Sequence, residues 1–173
     1  MKKLAVFASG SGSNYEAIAA ACTDGRIDAE VALLVCDKPG AFVLERASKF
    51  GTPVYVFSPK DFSCKADFER IIADRMDALG IDLVCLAGYM RIIGDELLSR
   101  YGGRIINIHP SLLPAFKGAH AVEQAVELDN KLITAWTGHP HLRVIDNSTG
   151  FEEKMKRLIA EIDAFLGEPE PFE

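Results

Sequence analysis

Short apolar runs alternate along this chain with longer stretches in which apolar residues recur every three or four positions. KLAVFAS (3–9), EVALLVC (30–36), PVYVF (53–57), DLVCLAG (82–88), RIINIH (104–109) and LRVID (142–146) read as strands. They are rich in Val, Ile and Leu and show little polar alternation, the pattern of strands covered on both faces. Helical spacing falls between them, over about 14–23, 40–50, 64–79, 94–101, 118–135 and 151–166. In 64–79 it is carried by Phe68, Ile71, Ile72, Met76 and Leu79. Strand–helix alternation repeated this often predicts a three-layer, Rossmann-like α/β fold. Its mostly parallel, twisted sheet has about six strands and helices on both faces. Residues 1–173 read as a single α/β domain, with no internal repeat and no linker-like segment. In such a sheet ligands gather at the carboxyl ends of the strands, where the strand order reverses.

Composition narrows the chemistry. Nearly half of the 173 residues are apolar, enough for a substantial core. The net charge of −6 argues against a general nucleic-acid binder, which needs a basic surface to displace counterions. A small anion is still admissible, because a few backbone amides hold a phosphate on an acidic protein. Cys22, Cys36, Cys64 and Cys85 are scattered without a C-x-x-C pair, so neither zinc nor a disulfide framework is expected. Reduced thiols fit a cytoplasmic protein. The apolar part of MKKLAVFASGSGSN is short and runs into a Gly/Ser turn, so it reads as a first strand rather than a signal peptide. No stretch approaches a membrane span. His139 and His141, with Pro140 between them and no third ligand, read as a loop before a strand rather than a metal site.

Two strand ends carry candidate chemistry. Ser9-Gly10-Ser11-Gly12-Ser13-Asn14 closes the first strand and opens the first helix. Glycines let the backbone approach a ligand, and a helix start offers free N–H groups to a phosphate. No Lys follows Gly12, so this is not a nucleotide-triphosphate loop; Tyr15 occupies the last glycine position of the dinucleotide fingerprint. The competing reading is a tight turn in which Ser13 or Asn14 caps the helix. At the fifth strand end, Asn107 and His109 in NIHP are two apart and share one face of a strand. An amide donor serves an oxyanion, and an imidazole moves protons near neutral pH. A hydrogen-bonded strand terminus bracing the next loop is the alternative.

FASGSGSN (7–14), LAGYMRIIG (86–94), INIHPSLLPAFKGAHAVEQA (106–125) and LLVCDKPGAFVLERA (33–47) together closely resemble the phosphoribosylglycinamide formyltransferase family of purine synthesis. The resemblance runs from residue 1 to about residue 127. It implies transfer of a formyl group from 10-formyltetrahydrofolate to the amine of glycinamide ribonucleotide, without a metal. By resemblance, Gly12, Ser13 and Asn14 hold the ribonucleotide phosphate. Met90, Arg91, Ile92 and Ile93 line the folate pocket. Lys65 stands where some members carry an arginine near the folate. Asn107 polarises the formyl oxygen and also borders the folate, and His109 transfers the proton.

The family also carries a catalytic aspartate in a segment resembling V-D-E-x-x-D-x-G-P. Beyond about residue 127 this chain departs from that pattern, reading LDNKLITAWTGHPHLRVIDNSTGFEEKMKRLIAEIDAFLGEPEPFE. Asp146 lies near the expected distance after His109, but Asp146 and Ser148 are equally good caps for the helix that follows. The segment 128–173 resembles, more weakly, the end of the ATPase portion of certain bacterial P-loop proteins. It offers one strand and one amphipathic helix, with Phe151, Met155, Leu158, Ile159, Ile162 and Phe165 on one face. Such a unit completes a parallel sheet in place of the family's antiparallel ending. The expectation is a formyltransferase-like hybrid with impaired activity. The alternative is an inactive α/β scaffold, recombined or engineered, that at most binds the ribonucleotide phosphate. Oligomeric state is left open.

Overall fold

The computed structural model describes residues 1–108, 142–145 and 150–167. Among the described residues six strands are formed: β1 Lys2–Ala8, β2 Ala29–Cys36, β3 Val54–Val56, β4 Leu83–Ala87, β5 Ile105–Ile108 and β6 Leu142–Ile145. The α-helices among the described residues are α1 Ser13–Thr23, α2 Val43–Phe50, α3 Lys65–Leu79, α4 Asp95–Tyr101 and α5 Phe151–Gly167. The sheet order is β3-β2-β1-β4-β5-β6 and every pairing is parallel. The chain winds outward from β1 to β3, returns through α3 to β4 beside β1, and continues to the other edge. The order therefore reverses between β1 and β4, which opens a crevice at their carboxyl ends.

The central strands are apolar on both faces because both faces are covered. In β1, Leu4, Val6 and Ala8 point into one core with α1, α2 and α5. Ala5 and Phe7 point into a second core with α3 and α4. All five are fully buried, and each large side chain so placed contributes roughly 1.5–3 kcal/mol. Cys36 and Cys85 are small members of the first core, as their apolar surroundings predict.

Local differences from the sequence pattern have identifiable causes. Helix α2 begins at Val43 rather than at residue 40, because Pro39 and Gly40 make a turn in which Gly40 has φ 80°. The amide of Val43 then donates to Gly10 O at 3.1 Å, fixing α2 to the end of β1. Helix α3 ends where Gly80 adopts φ 69°, and the amide of Ile81 folds back onto Met76 O at 3.1 Å.

Strand β6 pairs in parallel with β5, Asn107 opposite Val144, as the sequence pattern anticipates for this segment. Helix α5 buries Met155, Leu158 and Ile162 in the first core. Phe151 does not join them: it is 48% exposed, and Lys154 is buried instead. The lysine stem covers apolar surface while Nζ lies 5.7 Å from the Phe151 ring centroid, a cation–π contact at the helix start. The predicted helix over 118–135 and residues Trp136, His139 and His141 lie outside the described residues. No helix among the described residues is long and apolar enough to cross a membrane.

Candidate active site

The end of β1 and the start of α1 form the first wall of the crevice. Gly12 is the residue before α1 and takes φ 77°. Its absent side chain matters: a Cβ there would sit 2.4 Å from Val43 Cγ2. Neither Ser13 nor Asn14 caps the helix, since both lie inside it and no side chain caps its start. The first helical bond runs from the Glu16 amide to Gly12 O at 2.9 Å. The amides of Ser13, Asn14 and Tyr15 therefore have no acceptor within the helix and carry its positive dipole end. Asn14 is buried, and its Oδ1 has no hydrogen-bond partner among the described residues. Arg46 of α2 braces this loop, its Nε donating to Ser11 O at 2.8 Å while the same guanidinium pairs with Glu16.

The second wall is the segment following β4, residues 88–94. It is held at four points by side chains of other elements. The Ser9 hydroxyl accepts the Met90 amide at 3.0 Å. The Asp37 carboxylate accepts Arg91 Nε at 2.6 Å. Lys65, at the first position of α3, donates from Nζ to Ile92 O at 3.3 Å. The Glu69 carboxylate accepts the Gly94 amide at 2.8 Å. Held this way, the segment buries Tyr89 and Ile93 and turns the side chains between them outward. Met90 and Ile92 are 38% and 42% exposed, large apolar groups at the crevice, whereas Ile93 is buried in the second core. Exposed apolar side chains on so firmly tethered a backbone suit a flat, largely apolar ligand.

Asn107 forms the third side. It lies on β5 opposite Leu86 of β4, half-buried, on the sheet face shared with Leu86 and Phe7. Its flanking residues Ile106 and Ile108 enter the other core. The crevice thus takes the start of α1 from one layer and 88–94 with Asn107 from the other. His109 and Asp146 lie outside the described residues.

Several groups here escape the motif reading: Ser9, Asp37, Glu69 and Tyr89. Asp37 is buried at the very end of β2; its Oδ1 and the buried Tyr89 hydroxyl have no hydrogen-bond partner among the described residues. Burial pushes the Tyr89 phenol well above its ordinary range, and the Asp37 charge raises it further. Burial also raises Glu69, partly offset by its hydrogen bond from the Gly94 amide. An acid directly after an apolar run, as in LLVCDKPG, is the sequence signal for Asp37. Among the described residues no group of three or more His, Cys, Asp or Glu could hold a metal ion. A separate cavity of about 720 Å³ opens at the opposite end of the sheet, bordered by Lys3, Cys22, Asp28 and Thr52.

Among the described residues, a six-stranded parallel sheet with a helix start and a tethered apolar segment at its switch point defines a Rossmann-like α/β protein with its candidate site at the carboxyl ends of the strands. The chain belongs to the formyl transferase family, whose model matches residues 2–133. It is 58% identical over 125 residues to phosphoribosylglycinamide formyltransferase of Bacillus subtilis (strain 168), covering 72% of this chain and 64% of that protein. It is 41% identical over 127 residues to the enzyme of the same name from Haemophilus influenzae, covering 73% of this chain and 60% of that protein. The chain thus spans just under two thirds of these curated relatives. Among solved structures, phosphoribosylglycinamide formyltransferase from Brucella melitensis covers 99% of each chain with a TM-score of 0.72 at 31% identity. Glycinamide ribonucleotide transformylase 1 from Geobacillus kaustophilus covers 73% of this chain and 68% of its own, with a TM-score of 0.63 at 57% identity.

Proposed function

We propose that this chain is a phosphoribosylglycinamide formyltransferase-type protein, moving a formyl group from 10-formyltetrahydrofolate to the amine of glycinamide ribonucleotide. The observation that carries this reading is the meeting of the α1 start and the 88–94 segment at one switch-point crevice, with Asn107 one strand away. The amides at Ser13 and Asn14, next to Gly12, receive the ribonucleotide phosphate. Met90, Arg91, Ile92 and Ile93, the last through its backbone, border the folate, with Lys65 at the rim. Asn107 donates its amide to the formyl oxygen as negative charge develops there. His109 takes the proton from the attacking amine and returns it to the leaving nitrogen.

The same reading makes the chain a hybrid with impaired turnover. Two facts support it: the family match stops at residue 133, and the segment beyond supplies a parallel strand and a helix. The family's aspartate loop is absent from the sequence, and Asp146 is the one carboxylate near the expected spacing. A nearby carboxylate favours imidazolium, so its loss slows proton transfer by several orders of magnitude. Formyl transfer from 10-formyltetrahydrofolate to glycinamide ribonucleotide, followed spectroscopically, tests both parts. Turnover at a rate ordinary for such enzymes removes the impairment. Failure to bind either substrate removes the assignment. The second reading, a scaffold that binds only the phosphate, rests on the sequence-local construction of the α1 start, and predicts ribonucleotide binding without turnover.

A further inference from the structure

The Arg91–Asp37 pair is built unlike a supporting surface bridge. Asp37 is buried, whereas the Arg91 side chain is 41% exposed, so the anchor is fixed and the cation reaches outward. Contact is made through Nε alone, at 2.6 Å. The fork that guanidinium groups use for two-point recognition is left with both terminal amino groups unpartnered among the described residues. Val35 lies in the second core, so Asp37, two residues on, follows the same strand face toward Tyr89 and the 88–94 segment. The neighbouring backbone is pinned on both sides, by Ser9 at Met90 and by Lys65 at Ile92.

We propose that Asp37 is a positioning residue for the folate cosubstrate: from the end of β2 it holds Arg91 by Nε, so that the two free amino groups and the 90–93 backbone meet that ligand in one orientation. The inference rests on the functional reading above and adds to it a residue that touches no substrate. An arginine without this anchor samples many rotamers, and part of the binding free energy is then spent on ordering it.

The test is calorimetric titration of the full chain with 10-formyltetrahydrofolate and, separately, with glycinamide ribonucleotide, which reads binding whether or not turnover is impaired. Asp37→Asn is expected to weaken folate binding about tenfold while leaving ribonucleotide affinity and the thermal midpoint unchanged. In an Arg91→Ala background the same substitution is expected to add nothing. With Arg91 in place, Asp37→Glu is expected to lose less folate affinity than Asp37→Asn. The Arg91 Nε–Hε resonance, assigned by its loss in Arg91→Lys, should be protected in the parent and lost in Asp37→Asn. Unchanged folate affinity in Asp37→Asn, or a loss that persists without Arg91, overturns the proposal. A parent that binds no folate, with an Arg91 resonance still dependent on Asp37, refutes the functional reading and reduces the pair to structural support. A parent that binds folate but shows no protected resonance overturns the positioning role alone.

Discussion

The carboxylate of Glu69, on α3, accepts the amide of Gly94 at 2.8 Å and thereby caps α4, a helix to which it does not belong. Helix α4 has no side-chain cap of its own at Gly94, so the helix that packs beside it supplies the acceptor. The same bond fixes the far end of the 88–94 segment, which ties helix capping to the shape of the crevice.

Glu69 is expected to make stability fall as the carboxylate range is crossed. Its folded pKa is raised, chiefly by burial. A raised carboxyl favours the protonated form in the fold, so its contribution is present at low pH and is lost as pH rises through the folded value. Glu69→Gln keeps an acceptor for the Gly94 amide without the charge. The advantage of Gln over Glu should therefore grow from about pH 4 to about pH 7 in urea titrations. Glu69→Leu, which leaves the amide unpaired, should destabilise by about 1–3 kcal/mol near pH 4, and by less near pH 7, where the buried charge of the parent is itself unfavourable.

Gly12→Ala is expected to cost about 2–4 kcal/mol, combining a left-handed backbone with a Cβ pressed against Val43. Chemical denaturation measures this. Val43→Ala in the same chain should recover only a small part, because Val43 Cβ at 2.6 Å and Cα at 2.9 Å stay in the way and the left-handed backbone is unchanged.

Leu158→Ala should cost about 2–5 kcal/mol in a single cooperative transition, because Leu158 is fully buried in the core shared with α1 and β1. A separate early transition, or no loss at all, would show that α5 is not part of the same cooperative unit.

Thiol labelling should separate the cysteines. Cys64 is exposed and precedes α3, whereas Cys85 is fully buried and its thiol is pushed up to about 12. Burial pushes Cys22 up to about 11. An aromatic disulfide reagent should modify Cys64 first in the native protein, and Cys85 only on unfolding.

Tyr101→Phe should cost about 0.5–1.5 kcal/mol, since its buried ring stays packed while its hydroxyl loses Asp77 Oδ1 at 2.7 Å. Denaturant midpoints in a double-mutant cycle with Asp77→Asn isolate the share of this bond, since Asp77 also pairs with Arg100 through Oδ2 at 3.0 Å.

The chain's pattern determined by itself that β1, β2, β4 and β5 would be buried strands, because covering both faces of a parallel sheet demands unbroken apolar runs such as KLAVF and LVCLA. It also determined where a helix start meets glycines, at Gly12, and which segment follows β4. What it left open at the first site, a capped turn or a free helix start, was decided by Gly12 taking the cap position with no side chain able to bond back. Only the tertiary structure brought Ser9, Asp37, Lys65 and Glu69 onto residues 90–94, over separations of 25 to 81 positions in sequence. Such tethers leave no local period, since they depend on which strands become neighbours. The reversal of strand order between β1 and β4 set that, and the choice of neighbours is a property of the packed sheet rather than of any one stretch of chain.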